Sequence, residues 1–428
     1  MSVESKSQDL LLERVFEPER WLAAIGKGVD KDIRRDQLIL LTKPSARAAL
    51  YLAIKERKYA VAPPHAALIP KDTPGEFRRV FVNEPADRVL LSIVNDVLFE
   101  SCPGMIHPAC KSYLKGTGCG KVVRQAVSAA VGVPGNETGW KADLSKYFDS
   151  VPVEFIDEAF DRVESRVGPS AILDLLRKYY HCDLYFDEDG GLTSGYQSLK
   201  QGCAVAAFLA NVVLHDTDEA LSRLDGFYVR YSDDMLFIGG DKDRAMELLK
   251  SELGKRRMTL NPKKVEPVRK DRWFKFLGYA IKGSSVSLCR KHIKTFEKEI
   301  RSRTIDASGQ LTAKEAVRNV VQYLYKGNGQ YGWATHVLPV CNVRRDIDTL
   351  NAFAMDCIRA VATGRKDVGG LGFSSTLREG CIARGKGKNV RSNRRDTEPR
   401  IEGYLTIGCM QNAYLTSRQA YETLMRAI

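Results

Sequence analysis

Three aspartates and a glutamine–glycine pair stand where this sequence could do chemistry. Tyr231, Ser232, Asp233 and Asp234 lie inside the apolar run from Phe227 to Ile238. The flanking aromatic and β-branched residues suit two strands, and the polar triplet suits a tight turn between them. Such a hairpin sets two carboxylates side by side as hard oxygen ligands for Mg²⁺, which keeps its remaining positions for water or phosphate. Ninety residues before Asp233, Asp143 follows a short strand-like segment beginning at Trp140. Carboxylates from different strands, meeting at one sheet edge, can hold two Mg²⁺ roughly 3.5–4 Å apart. One ion then lowers the pKa of an attacking hydroxyl, and the other steadies a leaving pyrophosphate. Taken singly, Asp143 reads as a helix N-cap and the Asp-Asp pair as an ordinary turn. Their combination is what points to phosphoryl transfer.

Between the two lies the segment from Ser198 to Leu214. There Gln201 and Gly202 open what reads as one long helix of small and apolar residues, Ala204 to Leu214. Gly202 allows a backbone to approach a ligand closely, and Gln201 can hydrogen-bond a nucleotide. A plain buried helix accounts equally well for the apolar stretch, but not for the Gln-Gly pair.

The positioning elements alternate along the chain. Residues 1 to about 60 read as helices, with apolar residues at helical spacing from Glu19 to Ile25 and from Ser45 to Lys55, and Ser45 as an N-cap. Residues 61 to 140 mix strands such as Arg79 to Val82 with helices such as Asp87 to Phe99. Residues 141 to 285 alternate strands and helices, with a hairpin turn at Asp187 to Gly191. From about 290 the pattern is helical. Arg384 to Arg395 is too rich in glycine and charge to bury a core and reads as a loop or binding arm. A second basic cluster, Lys255, Arg256 and Arg257, reads either as a binding patch or as the charged end of a helix.

The whole chain has 428 residues, enough for two or three domains, and 44% hydrophobic residues, enough for a core. Its 66 Lys and Arg exceed its 53 Asp and Glu, giving a formal charge of +13 and favouring a polyanionic partner such as nucleic acid. None of the ten cysteines forms a CxxC pair, which argues against a zinc ribbon or a zinc-bearing nuclease. The first ten residues are too polar for a signal peptide, and no apolar run approaches a membrane span. A reduced, cytoplasmic protein with no membrane partner is expected.

The ordered set resembles the motifs of reverse transcriptases. Asp143 stands as in motif A, Gln201 and Gly202 with Leu209 to Asn211 as in motif B, and Tyr231 to Asp234 as in motif C. Leu260 to Glu266 is similar to motif D and Phe276 to Tyr279 to motif E. Upstream, Pro70 to Arg79 is similar to the fingers segment that meets the incoming triphosphate. The resemblance implies an α+β right-hand polymerase with helical N- and C-terminal additions. The implied divisions are an N-terminal helical segment at 1–60, fingers at 61–140, palm at 141–285, helical thumb at 286–345 and a C-terminal helical and basic RNA-binding region at 346–428.

It also implies roles. Asp143, Asp233 and Asp234, with the backbone carbonyl of Leu144, would hold two Mg²⁺, for which Mn²⁺ can substitute. Lys71 and Arg78 would grip triphosphate oxygens alongside Gln201 and Gly202. Lys264, or its neighbour Lys263, would protonate the leaving pyrophosphate. Phe148, five residues after Asp143, would stack under the sugar and leave no room for a 2′-hydroxyl, selecting dNTPs. Phe276, Leu277 and Gly278 would form the primer grip. Arg384, Lys386, Lys388, Arg391, Arg394 and Arg395 would contact a structured RNA.

Tyr147 to Val151 and Leu209 to Asn211 are closer to bacterial, group II intron-like enzymes than to retroviral ones, and nothing in the sequence after the thumb region around Leu324 to Trp333 reads as a nuclease. Motif B departs from the usual pattern: Lys200 replaces the proline before Gln201, and Ala206 and Ala207 replace Ser-Pro. The overall plan most nearly resembles class 2 of the bacterial defence-associated reverse transcriptases. That resemblance implies a dedicated noncoding RNA template, repeated copying into concatenated cDNA and a role in resistance to phage. The alternatives are template-independent or protein-primed synthesis, as in abortive-infection enzymes, a retron-type enzyme, or a non-catalytic RNA-binding scaffold.

Overall fold

A computed structural model describes residues 9–26, 41, 43–70, 75–195, 198–329, 332–362 and 364. The chain divides into two compact units. The first comprises 1–114 and 140–265, the second 115–139 and 266–428.

In the first unit, β1 (His65–Pro70) and β2 (Phe77–Val82) form an antiparallel hairpin. The strand β3 (Glu137–Asp143) enters this unit at Trp140 and ends at its first aspartate. The short strands β4 (Tyr185–Phe186) and β5 (Leu192–Thr193) extend the β1–β2 sheet, β4 running parallel to β1. Then β6 (Phe227–Tyr231) and β7 (Asp234–Ile238) form the expected hairpin, with β7 between β6 and β3. The middle three residues of β6 and the last four of β7 are buried, in keeping with a run that is apolar apart from Arg230. Trp140 stacks on Phe237 at 5.8 Å, and its indole donates to the Lys242 carbonyl, locking β3 against β7.

Helices supply much of the core of this unit. Pro85–Ser101 buries Val89, Leu90, Ile93, Val94, Val97 and Leu98, a stripe at helical spacing. Val153–Val167 buries Ile156, Ala159, Phe160 and Val163 and stops at Gly168, whose φ is +84°. Ala171–His181 starts at Ser170, whose side chain accepts from the Ile172 amide. One carboxylate serves two helix starts, since Asp9 accepts from the Leu12 and Ala171 amides.

Two local expectations change. The Pro44–Lys55 helix begins at proline, with Lys43 at the N-cap, so Ser45 lies inside the first turn. Proline's preset φ and missing N–H suit that first position better than serine does. After Gln201 and Gly202 the helix is only Ala206–Val212; the chain turns and restarts as His215–Ser222.

The reason for that break is Arg230. Its side chain is wholly buried and pairs with the equally buried Asp218 at 2.6 Å. The same guanidinium donates to the carbonyls of Ala210, Asn211 and Ser232 at 3.0–3.2 Å. The Ala210 carbonyl also accepts from Tyr147 Oη, and Tyr228 Oη donates to Asp218. Carbonyls that would continue the helix ladder are therefore committed to side chains, and the turn of the hairpin is tied to the end of the Ala206–Val212 helix.

In the second unit, β8 (Glu266–Arg269) runs beside the first residues of β3, where Thr138 Oγ1 donates to the Val268 carbonyl. A three-stranded antiparallel sheet follows: β9 (Phe274–Phe276), β10 (Tyr279–Lys282) and β11 (Ser285–Leu288). Helices Arg290–Ser302, Ala313–Gly329 and Arg344–Ala362 complete it, the second opened by a reciprocal Thr312–Glu315 capping box. Phe296, Tyr323 and Trp333 form its aromatic core, with Phe296 and Trp333 5.1 Å apart. Among the described residues no helix is long and apolar enough to cross a membrane.

Removing one partner of a buried pair strands the other charge. Arg230→Met should cost about 3–5 kcal/mol in urea denaturation, and the double change Arg230→Met/Asp218→Leu should recover a large part of it. A single variant as stable as the parent would show that the pair does not hold the hairpin.

Candidate active site

Backbone bonds around the end of β3 bring the candidate residues together. The hairpin register pairs Tyr231 with Asp234, leaving Ser232 and Asp233 as a two-residue loop. Ser232 has φ +59°, a left-handed conformation held on one side by Arg230 and on the other by Tyr113 Oη at 3.3 Å. The Leu144 amide donates to the Asp233 carbonyl. On the opposite edge, the Ser145 amide donates to Thr259 and the Asn261 amide to the Asp143 carbonyl, at 2.9 and 2.8 Å. None of these bonds uses the Leu144 carbonyl. Asn261 Oδ1 caps the single turn Pro262–Lys264, which aims Lys264 back at the strand end.

Lys264 Nζ donates to Asp143 Oδ2 at 2.8 Å, and Lys141 Nζ lies 3.3 Å from Asp234 Oδ1. Asp143 is nearly buried, while Lys264 is half exposed. Burial raises the Asp143 carboxyl above its ordinary pKa, with Lys264 pulling the other way. Burial also raises Asp233, and the Asp143 charge adds to it. Burial alone would lower Lys264; the Asp143 hydrogen bond and the three aspartate charges outweigh it and raise the ammonium.

Among the described residues no group of three or more His, Cys, Asp or Glu side chains converges as a closed metal cage. The donor set present is a different kind: two nearby carboxylates of raised pKa, Asp143 at the end of β3 and Asp233 in the hairpin loop, and a main-chain carbonyl outside the ladder bonds. Mg²⁺ typically takes one or two protein carboxylates and fills its shell with water and substrate phosphate, so this set fits it.

The structure places the other candidates as follows. Gln201 and Gly202 lie against β2: the Phe81 amide donates to the Gln201 carbonyl at 2.7 Å. Gly202 has φ +115°, and a Cβ there would stand 2.4 Å from the Phe81 carbonyl oxygen, so only glycine fits. Arg78 is exposed on β2, opposite Ile69. Phe148 is half-buried in the short helix Tyr147–Ser150, its ring 5.7 Å from that of Tyr147. Phe276 is fully buried in the second unit, so the surface of that turn is offered by Leu277 and Gly278. Those two form a two-residue turn with φ +47° and +85°, and a Cβ on Gly278 would meet the His292 ring at 2.1 Å. Lys71 and the basic segment Arg384, Lys386, Lys388, Arg391, Arg394 and Arg395 lie outside the described residues.

Lys255, Arg256 and Arg257 form a helix end. They pair with Glu252, Asp216 and Glu154 respectively, and Arg256 lies over the Phe155 ring. Sequence reasoning missed Arg230, Asp218 and Lys141. An arginine inside an apolar strand, one residue before Tyr231, was the available signal for the first.

The family model described as reverse transcriptase (RNA-dependent DNA polymerase) matches residues 69–281. The chain therefore carries an RNA-directed DNA polymerase domain of the reverse transcriptase family, with the mixed α and β right-hand polymerase fold. One similar solved structure is telomerase from Candida albicans in complex with a TWJ fragment of telomeric RNA. It is 12% identical, with a TM-score of 0.45, over 72% of this chain and 56% of that one. The chain thus spans little more than half the length of that protein. No curated protein matches the sequence.

Because Asp233 is harder to ionise in the folded chain than in the unfolded one, the folded state holds its proton to higher pH. Stability then falls as pH rises above the ordinary carboxylate range. In EDTA, Asp233→Asn should melt above the parent at about pH 7, the gap closing towards about pH 4. A neutral-pH melting temperature equal to or below the parent's contradicts this.

Proposed function

We propose that this protein copies a dedicated noncoding RNA into cDNA, repeatedly, and that the product serves anti-phage defence in a bacterium. The observation that carries the polymerase part is the convergence of Asp143, Asp233 and Lys264 at the end of β3, within a reverse transcriptase domain. The net charge of +13 and the basic segment from Arg384 to Arg395 support an RNA partner.

In this reading Asp143, Asp233 and the Leu144 carbonyl hold Mg²⁺, with Asp234 completing the carboxylate set. Bound there, Mg²⁺ supplies activation of the primer 3′-hydroxyl and charge neutralisation on the triphosphate. Lys264 exchanges its bond to Asp143 for the leaving pyrophosphate and gives up a proton from Nζ. Lys71 and Arg78 hold triphosphate oxygens, Gln201 and Gly202 the nucleotide, and Phe148 excludes a 2′-hydroxyl. Leu277 and Gly278, backed by Phe276, meet the primer strand. Residues 61–140 act as fingers, 141–285 as palm and 286–345 as thumb, with 1–60 and 346–428 as additions.

A second reading, template-independent or protein-primed synthesis, is favoured by one observation. Lys200, the residue before Gln201, has φ +56°, which proline cannot adopt, so the loop departs from the usual motif B backbone.

Purified protein with a primed RNA template, Mg²⁺ and dNTPs should extend DNA, and Asp233→Ala/Asp234→Ala should abolish it. Extension that survives the double change rejects the metal site. Sequencing the product separates the two readings: copied RNA sequence supports the first, homopolymer or random DNA the second. Phe148→Val should admit ribonucleotides, measured as alkali-labile product. Unchanged discrimination would remove Phe148 from the sugar pocket.

A further inference from the structure

Lys200 combines two costly features. It is wholly buried, and its backbone is left-handed without being glycine. Its Nζ donates to the Cys182 carbonyl at 2.7 Å. Cys182 caps the end of the Ala171–His181 helix, where the dipole favours a cation. The ammonium also stands 4.8 Å from the centroid of the Tyr179 ring. The Tyr179 hydroxyl accepts from Asn83 Nδ2 at 2.8 Å, and Asn83 directly follows β2. On the main-chain side, the next residue, Gln201, is bonded to Phe81 of the same strand, and Gly202 packs on the Phe81 carbonyl. Side chain and backbone of Lys200 therefore lead, by two routes, to the end of β2.

We propose that Lys200 is a positioning residue for nucleotide binding: its buried ammonium holds the left-handed backbone that sets Gln201 and Gly202 against β2, the strand carrying Arg78. This rests on the reading of Gln201, Gly202 and Arg78 as nucleotide contacts. Lys200 touches no substrate. Burial lowers its pKa, and the neighbouring Cys182, Cys203 and Asp183 pull the other way.

Three substitutions separate the side chain from the backbone requirement. Lys200→Met fills the space without the donor. Lys200→Gly permits the same φ without the ammonium. Lys200→Pro forbids the φ. The measurements are dNTP KM and kcat in primer extension, binding of fluorescent mant-dATP without turnover, and melting temperature as the folding control. Lys200→Met and Lys200→Gly should each raise KM and the mant-dATP Kd about tenfold, the size expected for losing a charge-assisted hydrogen bond, with kcat within about twofold. Lys200→Pro should be worse in both. Should the Met variant fold poorly, Lys200→Leu, apolar and without a donor, reads the same split.

A folded Lys200→Met with parental KM and Kd overturns the proposal, as does a loss confined to kcat. Parental KM in Lys200→Gly also overturns it, by assigning the effect to φ alone. Failure of the parent protein itself to bind mant-dATP rejects the nucleotide-site reading, and the role of Lys200 falls with it.

Discussion

A guanidinium without water must find partners for its donors inside the protein, and Arg230 imposes that demand at the middle of the first unit. Asp218 neutralises it, but one carboxylate cannot satisfy the whole fork. The remaining donors take carbonyls from two other segments, the end of Ala206–Val212 and the turn at Ser232. Three elements must therefore arrive together for the charge to be tolerable. Slipping the hairpin by one residue would move Arg230 to the other face of the sheet and leave both charges buried and unpaired. The pair thus specifies register, and register decides where the Asp233 carboxylate stands.

On the far side of the same turn the electrostatic problem is reversed. Three carboxylates crowd the end of β3, and two lysines answer them, Lys264 on Asp143 and Lys141 on Asp234. Among the described residues Asp233 makes no ion pair, and its pKa is raised by burial and by Asp143. Rigid support behind the turn and closely spaced carboxylates in front of it belong to one design. Carboxylates that repel one another would spread apart on a soft scaffold, and the Arg230 network prevents it. The half-exposed Lys264 sits on a single turn, so it can leave Asp143 without disturbing the strand.

Local signals were legible in the sequence; tertiary ones were not. The hairpin, its two-residue loop and the strand before Asp143 follow from apolar alternation and turn chemistry. Gly202 signals a point of close backbone approach, and Phe81 is what approaches. Apolar spacing makes the helix after it look longer than Ala206–Val212, because the carbonyl competition that ends it comes from residues 147 and 230, far away in sequence. Residue type makes Ser45 a cap, whereas Pro44 already fixes the entry. Lys255, Arg256 and Arg257 left two readings open because their carboxylate partners, Glu154 and Asp216 among them, lie on other helices.

Left-handed backbone at non-glycine residues separates structure from function along the chain. Arg57 and Arg257 each follow the cap of a helix and are closed by the paired carbonyl bonds of a Schellman ending: Lys58 to Ala53 with Arg57 to Ile54, and Met258 to Leu253 with Arg257 to Gly254. Their strain is repaid locally. Tyr113, Lys146, Lys200, Ser232 and Leu277 have no such excuse. Ser232 precedes Asp233, Tyr113 bonds Ser232, Lys146 follows Asp143 by three residues, Lys200 precedes Gln201, and Leu277 belongs to the Phe276–Gly278 turn. Strained residues persist where surrounding structure over-determines them, and here that surrounding is visible as Arg230 behind Ser232 and the Cys182 carbonyl at Lys200. The positions of strain and the positions of proposed chemistry coincide because a turn that must aim a carboxylate or a glycine at a ligand cannot also choose its most comfortable backbone.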